Sequence, residues 1–210
     1  MEKDSRITAV PLMLALVAAW TSCNTAFAKP DLARKEKAAC SLCHVNPAGG
    51  PILSDTGKEY KEKNVIPQDA VPVPESRQAK YLGTDECQLC HMKVHKSWEG
   101  TVHAAAFKVL ESKQSDKNAG CIACHSTGAG LPGGYAPDSD QADALKQVTC
   151  EACHGPGSLH ATAANNQKKE TINGSPGENL CRSCHIQRFS PNFEYVEWSK
   201  RGVHELTERK

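Results

Sequence analysis

Cys150-Glu151-Ala152-Cys153-His154-Gly155-Pro156-Gly157 contains the pattern that decides this chain, Cys-x-x-Cys-His. The same pattern recurs at Cys40, Cys43 and His44, at Cys87, Cys90 and His91, at Cys121, Cys124 and His125, and at Cys181, Cys184 and His185. Zinc ribbons, thioredoxin-like redox pairs and disulfide frameworks also space two cysteines this way, but none of them constrains the residue after the second cysteine. Here that residue is histidine in every copy. Covalent attachment of haem requires it: the two thiols add across the vinyl groups, and the adjacent imidazole turns onto the iron. The sequence therefore predicts five haem c groups.

Working outward, residues 1–28 begin weakly cationic with Lys3 and Arg6, continue as an apolar run, and end in Ala26-Phe27-Ala28. This reads as a secretory signal peptide and predicts a periplasmic protein, because haem attachment at such motifs belongs to exported bacterial chains. Cleavage there removes Cys23 and leaves two cysteines for each haem. Lipidation of Cys23 is the alternative, but Trp20-Thr21-Ser22 lacks the aliphatic residue such a site usually has. No later stretch has the ~20 apolar residues of a membrane span.

Cleavage leaves about 180 residues to enclose five large cofactors, too short a chain to build five ordinary side-chain cores. Only 5% of the sequence is aromatic. The expected fold is mainly α with extensive irregular loops and little or no β-sheet, stapled by haem, which supplies much of the buried apolar surface. The formal charge of +1 shows no basic excess, and two propionates per haem add negative charge, which argues against nucleic acid as a partner.

The first motif stands apart from the other four, with Pro67, Pro72 and Pro74 in between. We expect a monohaem module over 29–66, with turn-forming residues at 46–51, a proline-rich extended spacer over 67–79, and a tetrahaem domain over 80–210. Within the latter, His103, Phe107 and Leu110 fall on one face of a helix predicted over 101–112. Glycine-rich runs such as 128–134 predict loops between motifs.

The tetrahaem region resembles the cytochrome c554 family. The likeness lies in Ser97-Trp98 and Thr101-x-His103 after the motif at Cys87, in Gly133-Gly134-Tyr135 after that at Cys121, in Cys150-Glu151-Ala152-Cys153-His154-Gly155-Pro156-Gly157, and in Cys181-Arg182-Ser183-Cys184-His185. The resemblance implies electron carriage and an open distal face at the haem of Cys121 and Cys124. It also implies that His103 serves the haem of Cys150 and Cys153, His160 that of Cys87 and Cys90, and His204 that of Cys181 and Cys184. This chain departs from the family in its haem motif at Cys40 and in carrying His95.

Counting agrees that at least one sixth position lacks histidine. Nine histidines less five proximal ones leave His95, His103, His160 and His204. Met92 adjoins proximal His91 and is badly placed to ligate the same haem. On a continuous helix His95 shares a face with His91 and Trp98 but must serve a different haem. We expect that to be the haem of Cys40 and Cys43, or failing that the haem of Cys121 and Cys124. Trp98 reads as packing against a porphyrin.

These features predict a periplasmic carrier of single electrons between redox partner proteins. The alternatives are a reductase acting on nitric oxide, nitrite or hydroxylamine at a five-coordinate haem, and a subunit of a conductive filament.

Overall fold

In the computed structural model the protein is described over residues 35–46, 52–201 and 203–204. The expected signal peptide, Cys23, most of the turn-forming stretch at 46–51 and the end of the chain lie outside these residues. Short helices joined by irregular chain make up the described fold. It contains no strand, and its only β pairing is an isolated antiparallel bridge between His44 and Leu53. Among the described residues no helix is long and apolar enough to cross a membrane.

Around the first motif, local hydrogen bonding builds a compact unit. Helix Cys40–Cys43 ends as His44 becomes extended, and the His44 N–H donates to the Cys40 carbonyl. The Ser54 hydroxyl donates to the Leu42 carbonyl at 2.7 Å and accepts from the Gly57 N–H at 3.1 Å, so it caps helix Asp55–Lys63 while tying that helix to the motif. Asn64, at φ 54°, ends the helix in the left-handed region. Gly57 is buried, and a Cβ there would run into the Cys43 carbonyl oxygen. Backbone cannot give way as a flexible side chain would, so we expect Gly57→Ala to cost roughly 1–3 kcal/mol. Thermal denaturation of the haem-loaded protein reads this directly, and an unchanged midpoint would show that the two helices slide apart freely.

The segment expected to be an extended spacer, 67–79, runs along the first motif and bonds to it. Val73 N–H donates to the Ser41 carbonyl at 2.8 Å, Ala79 N–H donates to the Val45 carbonyl at 3.3 Å, and residues Glu75–Arg77 form a 3-10 turn. Proline removes backbone donors but leaves those of its neighbours, and Val73 and Ala79 use theirs.

The larger region opens with helix Thr84–Glu99, which is kinked at His91 (φ −115°, ψ 38°). The helix is therefore not continuous through His91, as a shared face of His91 and His95 would require. The helix predicted over 101–112 is also interrupted. It divides into a 3-10 turn, His103–Ala105, and helix Ala106–Ser112, with Ala105 non-helical between them. Phe107 and Leu110 still face inward as expected, joining Tyr81, Ile122, Ala129, Tyr135 and Leu145 in a single small core. Beside it, Thr127 is fully buried and donates to the Gln147 carbonyl at 2.7 Å, while its Oγ1 accepts from the Thr149 N–H at 2.9 Å. Of the motifs, only that of Cys121 contributes to this core, through Ile122 and the partly buried Cys121.

Candidate haem centres

Each Cys-x-x-Cys pair lies on or beside a helical turn, which brings both sulfurs near the following histidine. The ten described cysteines are all free of disulfides. Four imidazoles are then oriented by an acceptor at Nδ1. His125 donates to the Ala106 carbonyl at 2.7 Å, His154 to the Asn173 carbonyl at 2.6 Å, and His160 to the Lys168 carbonyl at 2.9 Å, while His185 Nδ1 lies 3.1 Å from the Ser190 hydroxyl. A carbonyl only accepts, so Nδ1 carries the proton in the first three and Nε2 keeps its lone pair for a metal. Burial holds His154 and His185 below the ordinary imidazole range, which favours the neutral ligand form.

Three pairs of rings face one another. Centroids are 6.1 Å apart for His91 and His160, 6.1 Å for His154 and His204, and 6.0 Å for His103 and His185. Direct ring stacking needs a closer approach. Two imidazoles on opposite sides of one metal, each nitrogen about 2.0–2.1 Å from it, place their centroids roughly 6 Å apart. The residues present therefore fit haem with two axial histidines.

The pairing corrects two of the expectations above. His160 faces His91, as the resemblance implied. His103 faces His185 rather than His154, and His204 faces His154 rather than His185. The break at Ala105 puts His103 in its own turn, outside the core-facing helix, and helix Tyr195–Arg201 carries the chain back from the last motif so that His204 reaches His154. Among the described residues no imidazole faces His125 at this distance. His95 is buried, with its ring 5.5 Å from Trp98 and Nδ1 3.7 Å from the Glu99 carboxylate. Trp98 is itself anchored, its indole N–H donating to the Val148 carbonyl at 3.1 Å.

The proximity of cysteines from different motifs gives a spatial order that differs from the chain order. The Cys87 thiol meets Cys150, which pushes Cys87 up and holds Cys150 down. The Cys124 thiol meets Cys184, which is lowered to about 7 by that contact. Cys153, raised to about 12 chiefly by burial, also feels Cys181 and Cys184. Thiols joined to haem no longer titrate, and their proximity to one another is what persists. In space the motif of Cys87 is followed by those of Cys150, Cys181 and Cys121.

Several contributors were not foreseen from sequence. Glu151, between Cys150 and Cys153, is buried and accepts from the N–H groups of Leu82, Gly83 and Gly157 at 2.7–3.1 Å. It is the only acidic residue within any of the five Cys-x-x-Cys spacers, which is a signal that could have singled it out. Phe193 stacks on His185 at 4.5 Å with 12° between ring planes, and Trp198 meets both edge-on. The carbonyls of Ala106, Lys168 and Asn173 leave no sequence signature, because every residue has one.

Paired thiols, an adjoining histidine and opposed imidazoles define a multihaem c-type cytochrome, with haem c bound covalently. Residues 86–155 match the family described as cytochrome c554 and c-prime. Over a 94-residue alignment the chain is 36% identical to cytochrome c-554 of Nitrosomonas europaea, covering 38% of this chain and 40% of that protein. The match thus spans about two fifths of that relative's length. The solved structure of reduced cytochrome c554 from Nitrosomonas europaea superposes with a TM-score of 0.47 at 25% identity, over 60% of this chain and 86% of that one. The chain resembles the cytochrome c554 family.

Proposed function

We propose that the protein is a periplasmic five-haem carrier that passes single electrons between redox partner proteins. The observation that carries this reading is the set of opposed imidazole pairs, His91 with His160, His154 with His204, and His103 with His185, on motifs whose cysteines lie near one another in succession. Haem, when bound, supplies one-electron chemistry at potentials that axial ligands, burial and nearby charge adjust. The chain's own part is to hold the imidazoles neutral and aimed. Burial keeps His154 in its neutral form, the Asn173 and Lys168 carbonyls aim His154 and His160, and the Phe193 ring buttresses His185.

Ring angles provide the test. Interplanar angles are 24° for His91 with His160 and 22° for His154 with His204, against 73° for His103 with His185. Near-parallel axial imidazoles separate the two iron dπ orbitals in energy and give a rhombic low-spin paramagnetic resonance signal. Near-perpendicular ones leave those orbitals almost degenerate and give a strongly anisotropic signal. The oxidised protein should show both types. His103→Ala should convert the anisotropic signal to high spin, while His204→Ala should convert a rhombic one. Loss of a rhombic signal in His103→Ala would restore the pairing implied by the family resemblance and overturn the one described here.

His125 favours a second reading, a reductase acting on nitric oxide, nitrite or hydroxylamine at that haem. Its Nδ1 is held by Ala106, and no described imidazole opposes it. High-spin iron in the untreated protein, binding nitric oxide on reduction and turning it over, would support this reading. Binding without turnover would leave the carrier.

A further inference from the structure

We infer that the N-terminal haem motif joins the array at its interior, against the motif of Cys150, Cys153 and His154, rather than at either end. This rests on the five-haem reading above. The residues that follow His44 meet those that follow His154: a Cβ on Gly155 would stand 3.1 Å from the Asn46 side-chain nitrogen. A small cavity at this seam is lined by Asn46, Ile52 and Ala79 from the first unit and its connecting segment, and by His154, Gly155 and Asn173 from the other side. Asn173 is the residue whose carbonyl orients His154.

Two further contacts hold the seam in register. The connecting segment is tied to the first motif through Ala79 N–H to the Val45 carbonyl at 3.3 Å. One residue later it is tied to the turn after Gly157, where Lys80 N–H donates to the Ser158 hydroxyl at 2.8 Å and Ser158 N–H donates to the Lys80 carbonyl at 3.1 Å. Next to this seam, Lys58 of helix Asp55–Lys63 and Glu170 of the 167–171 turn line one open cleft of about 550 Å³. Cys87 meets Cys150 on one side, and on the other Cys153 lies near Cys181, whose following helix returns to set His204 against His154, so a haem at Cys40 and Cys43 forms a branch on the second position of the row. An electron arriving there can leave in either direction, toward His91 or toward His185. This gives the addition that sets this chain apart from a four-motif array a role as a side connection.

The test uses the haem-loaded full chain. Haem is first counted by mass in the parent and in a Cys40→Ala, Cys43→Ala variant. A parent with other than five, or a variant that loses none, would refute the five-haem reading itself. With counts of five and four, removing the N-terminal haem should move the rhombic signal that His204→Ala abolishes and leave the signal that His103→Ala abolishes unmoved. Movement confined to the His103-dependent signal, or no movement at all, overturns the placement. A second measurement needs no variant. Carbodiimide coupling of the intact parent should yield a peptide joining Lys58 to Glu170 beside the local Lys58–Asp55 product expected of their 3.0 Å ion pair. Coupling of Lys58 instead to Glu178, Glu194 or Glu197, around the neighbouring motif of Cys181, or to Glu86 or Asp116, beside the motifs of Cys87 and Cys121 at the ends of the row, would equally overturn it.

Discussion

Replacing Cys150 and Cys153 together with alanine should prevent assembly of the tetrahaem region as a whole, with haem content falling by more than one per chain. Cys150 meets Cys87, Cys153 lies near Cys181 and Cys184, and His154 faces His204 while donating to Asn173. Removing the attachment site at this position takes away the surface against which two neighbouring motifs pack. The side-chain core of Tyr81, Phe107, Leu110, Ile122, Ala129, Tyr135 and Leu145 is too small to compensate. The check is the haem-to-protein ratio of purified material beside the Cys40→Ala, Cys43→Ala variant, which should lose one haem and keep the rest. A clean four-haem product from the Cys150, Cys153 variant would mean that the motifs assemble independently of one another.

Glu151→Ala should be the most damaging single change outside the haem ligands. Its carboxylate accepts from three backbone N–H groups, Leu82 at 3.0 and 3.1 Å, Gly83 at 2.8 Å and Gly157 at 2.7 Å. A buried donor left unsatisfied costs about 1–3 kcal/mol, so losing this acceptor should cost on the order of 3 kcal/mol or more. Glu151→Gln separates shape from charge. Its amide offers a single acceptor oxygen, so an NH2 group is turned toward Gly83 or Gly157, and roughly 1–3 kcal/mol should be lost.

The pH dependence has a definite sign. Burial pushes the Glu151 carboxyl above its ordinary range, and the three N–H donors only partly offset this. A carboxyl raised on folding contributes most stability below its unfolded value, and that contribution fades as pH rises through the raised one. The parent should therefore lose some thermal stability over that window, and Glu151→Gln should remove this part of the slope. A variant with the parent's midpoint and slope would show that the loops at 82–83 and 157 are held by something other than this carboxylate.

Much of the chemistry was legible without coordinates because it is local. Two thiols and an imidazole within five residues form one attachment site however the rest of the chain runs, so the sequence alone proposes five proximal histidines. His95, His103, His160 and His204 followed by subtraction. The mainly helical, loop-rich character followed from few aromatic residues and many glycines and prolines. Patterning identified Phe107 and Leu110 as inward-facing, although not the break at Ala105 that separates His103 from them.

Which imidazole meets which was decided only in three dimensions. His103 and His185, or His154 and His204, are far apart in sequence, and no periodicity connects them. Their meeting depends on the turn at His103–Ala105, the kink at His91 and the return of the last helix. The acceptors at Ala106, Lys168 and Asn173 are backbone carbonyls, identical in every residue until the fold aims them. The sequence by itself determined what each motif can bind. Tertiary structure decided the order in which the motifs stand and their distal partners, because those depend on the path of the chain between motifs rather than on the residues within them.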